Sequence, residues 1–188
     1  MKRKRRSFQK EVTELDVTRF KFLDESGINI DLTRWYGRAA PDQRVVDSVP
    51  QPSGPQTTTL AVMGWSGISA PLVLSGAVNG TVFYGYIEQC VVPVLKPGDI
   101  LFMDNLSAHK VAGLDQLIRS CGAHLIYLPP YSPDFNPIEL VWSKVKTILR
   151  RLKARTFPDL IEALRQALLA ITPQDIQAWF AHCGYAIH

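Results

Sequence analysis

A stretch of twelve residues, Tyr131-Ser132-Pro133-Asp134-Phe135-Asn136-Pro137-Ile138-Glu139-Leu140-Val141-Trp142, constrains this chain more than any other. Proline fixes φ and has no N–H to give, so a loop stiffened at Pro133 passes into a helix at Pro137, a first-turn position where a missing donor costs nothing. Asn136 then suits the N-cap and Glu139 the third helical position. A carboxylate is thereby held at a helix mouth. The same spacing is that of a capping box, in which the glutamate merely bonds back to the backbone of the cap residue. The pattern alone therefore leaves a structural and a chemical role open.

Two acids upstream shift that balance. Thr18-Arg19-Phe20-Lys21-Phe22 alternates polar and aromatic residues, the period of a strand with one buried face, and Asp24 ends the strand expected over residues 17–23. Ile100-Leu101-Phe102-Met103 is a continuous apolar run of the kind a parallel strand covered on both faces requires, and Asp104 follows it. Three acids, each at the end of an element, can converge on one place.

The pattern predicts further strands over residues 33–38, 57–63 and 71–74, with Gly64-Trp65-Ser66-Gly67 as a tight turn, so the opening half is an antiparallel meander. Between the second and third strands, residues 37–56 carry Pro41, Pro50, Pro52, Gly54 and Pro55, too broken for a helix or a central strand. The second half alternates helices with strands. Thr81 caps a helix with Phe83, Tyr84, Ile87, Val91 and Val94 on one side, bent or ended by Pro93. Ser107 caps another carrying Val111, Leu114, Ile118 and Cys121, stopped by Gly122. A buried strand over residues 124–128 leads to the long helix, which buries Ile138, Val141, Val145, Ile148 and Leu152. Its opposite stripe holds Glu139, Ser143, Lys146 and Arg150, either a seat for a phosphate backbone or a solvated charged face. Residues 157–171 and 172–184 form amphipathic helices with Pro158 and Pro173 in their first turns.

Composition narrows the class. With 188 residues, 46% hydrophobic and 20% charged, the chain has the makings of one domain with a full core. Five of its cations lie in Lys2-Arg3-Lys4-Arg5-Arg6, so the net charge of +4 leaves a nearly neutral body. Polyanion affinity must then come from local patches or from this tail. Three cysteines, far apart and without C-x-x-C spacing, argue against a zinc cluster or a disulfide framework. No apolar run approaches the roughly 18 residues needed to span a bilayer.

With these elements in place, the chain resembles the α/β ribonuclease H-like fold, a mixed sheet of three antiparallel strands then parallel strands, flanked by helices with extra C-terminal helices. Leu23-Asp24-Glu25-Ser26-Gly27, Met103-Asp104-Asn105-Leu106-Ser107-Ala108-His109 and the Tyr131-to-Glu139 stretch are similar to the DDE transposase domain of the mariner superfamily and related bacterial insertion sequences. The 34 residues between Asp104 and Glu139 match the interval of that group. The resemblance covers a catalytic domain over residues 17–155; the charge run before it reads as a flexible basic leader over 1–16, and the amphipathic helices after it as an extension over 156–188 packed on that domain. The resemblance implies DNA cleavage at transposon ends and transfer of the 3′-hydroxyl into target DNA, in a bacterial cytoplasm at the nucleoid. Asp24, Asp104 and Glu139 become the catalytic and metal-binding residues, and Lys146, Arg150, His109 and Arg38 candidates for DNA contact. His109 is equally readable as an ordinary polar residue of the helix. The broken stretch after Trp35-Tyr36-Gly37-Arg38 lies where such relatives carry a loop used in dimer and DNA contacts, which implies a homodimer.

Chemistry supports the same acids independently. Phosphodiester cleavage needs an activated attacking oxygen and a stabilised leaving oxygen, which two divalent ions roughly 3.5 to 4 Å apart supply. Hard oxygen ligands suit Mg²⁺ or Mn²⁺. A Walker-type ATPase is excluded by the lack of a G-x-x-x-x-G-K-[ST] loop. The remaining rivals are another nuclease of the same fold and a DNA-binding or dimerising remnant with its chemistry lost.

Overall fold

The computed structural model describes residues 2–34, 36–48, 50, 56–106 and 109–185. Trp35, Pro52, Gly54, Pro55 and the expected cap Ser107 lie outside the described residues. Five strands form one sheet in the order β3-β2-β1-β4-β5: β1 (Phe20–Gly27), β2 (Thr57–Gly64), β3 (Gly67–Ser75), β4 (Ile100–Met103) and β5 (His124–Tyr127). β1, β2 and β3 pair antiparallel, whereas β4 runs parallel to β1 and β5 parallel to β4. The expected mixed sheet is present.

Alternation along the strands sorts the side chains into two cores. Phe20, Phe22, Ala61, Met63, Ile100 and Phe102 face one side, covered by four helices: α1 (Lys2–Thr13), α4 (Ile138–Leu152), α5 (Phe157–Leu169) and α6 (Pro173–His182). Leu23, Leu60, Val62, Leu101 and Met103 face the other, covered by α2 (Gly80–Tyr86) and α3 (Leu114–Ser120). On the first side the rings of Phe22 and Phe102 stack at 4.8 Å, and Phe20 meets Phe102 edge-on at 4.9 Å. Phe102 is fully buried at the centre of this cluster, so truncation to Ala would cost about 3–5 kcal/mol.

Several sequence expectations are corrected. No strand forms over the described part of residues 33–38, and the whole of 36–48 is exposed, so a strand there would have no core to pack against. The partner of β1 is instead Thr57–Gly64, buried along its full length. β1 does not stop at Asp24: it continues to Gly27 because β2 still pairs with it there, Asp24 opposite Ala61. Asn79, not Thr81, caps α2, its side chain accepting from the Val82 N–H at 3.0 Å. α2 then widens into a π-helical turn, Ile87–Val91, and tightens to a 3₁₀ turn at Val92–Val94, around Pro93. α3 begins only at Leu114, because Gly113 sits at φ 83°, a left-handed conformation that breaks the preceding chain and leaves Val111 outside the helix. In α4, Trp142 and Leu149 join Ile138, Val141 and Val145 in the core, while Leu152 is exposed.

The basic leader is also corrected. Lys2–Thr13 is helical, and Phe8 and Val12, four apart, are buried against the aromatic core. The run of cations masks this short apolar pair. Phe8 stacks on Phe135 at 5.4 Å and meets Phe102 edge-on at 6.0 Å.

Candidate active site

β1 and β4 run parallel with Phe22 opposite Phe102, so the same register carried two residues further brings Asp24 level with Asp104, which directly follows β4. Both aspartates have the parity of Phe22 and Phe102 and so belong to the face that α4 covers. The carboxyl ends of parallel strands are where α/β sheets open a crevice. Glu139 enters from above in the first turn of α4. Asp24, Asp104 and Glu139 all line one open cavity of about 370 Å³, walled by the loop from Leu128 to Asn136.

Asp24 is 6% exposed. Burial, then the nearby charge of Glu139 and more weakly that of Asp104, push its carboxyl up to about 7, against a lowering hydrogen bond from the Glu25 backbone. Asn136 Nδ2 donates to Asp24 Oδ2 at 3.3 Å. Among the described residues α4 has no side-chain cap: Pro137 occupies the cap position, and the Asn136 side chain accepts nothing from the first turn. The capping box fails as well, because the Asn136 N–H donates to the Pro133 carbonyl at 2.9 Å. Glu139 is exposed, and its carboxylate makes no hydrogen bond among the described residues. It stands at the positive end of the helix, where a negative charge is stabilised.

Asp104 is fixed from a different direction. His109 Nδ1 lies 2.5 Å from Asp104 Oδ1, and the imidazole stacks on Phe83 at 4.3 Å. A carboxylate at Nδ1 selects the tautomer with its proton on that nitrogen, leaving Nε2, which is buried and without a partner among the described residues. His109 is only 1% exposed, so in this arrangement no phosphate reaches it. It orients an acid of the site instead, a role that its sequence position does not disclose. Lys146 and Arg150 are half-buried on α4 and form no ion pair among the described residues. Arg38 is exposed on the irregular stretch and does not line the cavity.

The donor set fits hard divalent cations. Three carboxylates face one solvent-open space, and no lysine or arginine among the described residues offsets the charge that raises Asp24. Among the described residues the acids do not close into a ready-made cluster of three ligands. They line the cavity as separate groups, with Glu139 free to adjust.

A mixed sheet of this order, with one aspartate on β1, another just past the end of the parallel β4 and a glutamate on the covering helix, is the ribonuclease H-like fold with a three-carboxylate site. The chain belongs to the DDE superfamily endonuclease family, whose sequence model matches residues 19–162. A comparison with curated proteins finds no match. Among solved structures, the chain is similar to the Mos1 transposase paired-end complex with left transposon end, with TM-score 0.77 at 15% identity, covering 97% of this chain and 57% of that one. It is similar also to the Mos1 mariner paired end complex with Mn, with TM-score 0.76 at 14% identity over 97% and 59%. For the catalytic domain of Mos1 mariner transposase the TM-score is 0.64 at 13% identity, over 100% and 93%. At these identities the likeness is one of fold. The chain spans little more than half the length of the first two.

Proposed function

We propose that this chain is a transposase catalytic domain that cleaves DNA strands at transposon ends and joins the freed 3′-hydroxyl to target DNA. The convergence of Asp24, Asp104 and Glu139 on one open cavity, in a member of this endonuclease family, carries the assignment. Two Mg²⁺ or Mn²⁺ ions held by these carboxylates would make an attacking oxygen nucleophilic at neutral pH and neutralise the leaving oxygen. Solved Mos1 structures include complexes with Mn and with Mg, which supports this choice of metal.

The chain's own residues prepare that site. Burial and the Asn136 amide hold Asp24 in one orientation. His109 engages one oxygen of Asp104 and leaves the other for a ligand. Glu139, unbonded among the described residues, carries its charge at a helix N-terminus and is able to turn inward. The DNA backbone lies along Lys146 and Arg150, which follow Glu139 down α4. The exposed stretch bearing Arg38 contacts DNA or a second copy of the chain in a homodimer. The substrate is DNA at the nucleoid of a bacterial cytoplasm. Among the described residues no helix is long and apolar enough to cross a membrane.

Nicking of supercoiled plasmid with Mg²⁺ or Mn²⁺ tests the assignment. The wild-type chain is expected to nick only with metal, and Asp104→Asn to abolish the activity. Equal nicking by both proteins would remove Asp104 from the chemistry.

A further inference from the structure

Arg5 of α1 reaches across to the loop that walls the catalytic cavity. Its guanidinium donates to Ser132 Oγ at 2.8 Å and to Asp134 Oδ1 at 2.9 Å, and its second terminal nitrogen donates to Asp134 Oδ2, a two-pronged grip on one carboxylate. The same group lies over the Phe135 ring at 4.3 Å, and Phe8, one turn further along α1, stacks on that ring. From the other side, the Tyr185 hydroxyl donates to the Phe135 carbonyl at 2.7 Å. Ser132, Asp134 and Phe135 are thus held from outside the loop. The next residue, Asn136, holds Asp24, and Glu139 follows three residues later.

We infer that Arg5 is a positioning residue for catalysis, acting through Ser132, Asp134 and Phe135 to fix the loop that sets Asn136 against Asp24 and starts the helix of Glu139. The inference rests on the proposed nuclease function and gives α1 a part in it. The Arg5 and Asp134 side chains are 31% and 56% exposed, and an ion pair so open to solvent adds little to stability. Its effect is one of geometry. The two-pronged grip together with the ring stacking fixes direction as well as distance, which a point charge does not. Asp134 is held below the usual carboxylate range by this hydrogen bond, so the grip persists throughout the neutral range.

Two variants separate charge from geometry in the full chain: Arg5→Ala removes the group, and Arg5→Lys keeps the cation but not the fork. Hydrogen exchange is read over residues 131–137 without metal, alongside Mn²⁺-dependent plasmid nicking and the melting temperature. Both variants are expected to exchange faster in that loop while β1 and β4 stay protected. Their nicking turnover is expected to fall about 10- to 100-fold with the plasmid KM within about threefold, because small misplacements of reacting groups carry costs of that order. Reversal of the pair, Arg5→Asp with Asp134→Arg, is expected to restore part of the turnover. Unchanged loop exchange with unchanged turnover would overturn the inference, as would a loss of activity explained wholly by melting below the assay temperature. A wild-type chain that never nicks would instead overturn the nuclease assignment, and the exchange measurement would still decide whether Arg5 fixes the loop.

Discussion

Asn136 and Asp24 are 112 residues apart in sequence, yet the amide of one donates to the carboxylate of the other at 3.3 Å inside the protein. This hydrogen bond ties the loop before α4 to the middle of β1 and sets the orientation of the most buried acid of the site. Asn136→Ala is expected to lower stability by about 1 kcal/mol, the usual worth of one neutral-donor hydrogen bond. Turnover is expected to drop about tenfold, since on the proposed function Asp24 would lose its productive geometry once freed to rotate. Urea unfolding and single-turnover plasmid nicking measure the two effects.

The titration of Asp24 gives a stability prediction with a definite sign. Its carboxyl is raised from 3.8 to about 7, so the fold favours the protonated form. The associated stability is fully present below pH 3.8 and is lost as pH rises through about 7. At full ionisation the difference amounts to about 4 kcal/mol at most. In EDTA, Asp24→Asn should therefore melt above the wild type at about pH 8 and lose most of that advantage as pH falls towards about 4. Adding Mn²⁺ at the higher pH should raise the wild-type melting temperature and leave the variant nearly unmoved. Parallel melting curves for the two proteins across this range would contradict the placement of Asp24 in a buried, like-charged setting.

His109 supports Asp104 from beneath, and two substitutions distinguish its hydrogen bond from its packing on Phe83. His109→Phe keeps the stacked ring and removes the donor, while His109→Ala removes both. Each is expected to raise the Mn²⁺ concentration at half-maximal nicking by about 10- to 100-fold, the usual effect of losing the partner of a ligand. Only the alanine variant should also lose about 1–3 kcal/mol of stability through the cavity it opens.

Lys146 and Arg150 carry charge on α4 without ion-pair partners among the described residues. If they lie on phosphates, replacing both by Ala should weaken duplex binding and lower the slope of log K against log salt by about 2, near 0.9 for each phosphate no longer neutralised. Fluorescence anisotropy at a series of salt concentrations reads this slope. An unchanged slope would return both residues to the solvated face of the helix.

Legibility in the sequence follows the range of the interactions. The strand of Asp24, the apolar run before Asp104 and the proline-marked start of α4 are local patterns with periods of their own, and from them come the mixed sheet and the three acids. The 33–38 segment misleads because its aromatic pair would make a strand only where it found a core, and residues 36–38 are exposed. Asn136 and Glu139 have the spacing of a capping box, but local spacing cannot reveal that the Asn136 N–H goes to the Pro133 carbonyl and its side chain to a carboxylate 112 residues away. The burial of Phe8 and Val12 is hidden behind five consecutive cations, so α1 and its grip on the loop become visible only once the aromatic core is assembled. His109 reads as a polar helix residue because nothing nearby in sequence announces Phe83, the ring it stacks on.

Anomalous scattering from a crystal soaked in Mn²⁺ addresses the central claim most directly. Two manganese peaks are expected in the cavity, both within ligand distance of Asp24, one also touching Asp104 and the other Glu139, at roughly 2.0 to 2.2 Å from the oxygens. An empty cavity at saturating Mn²⁺, or metal bound with the Glu139 carboxylate turned to solvent, would contradict it.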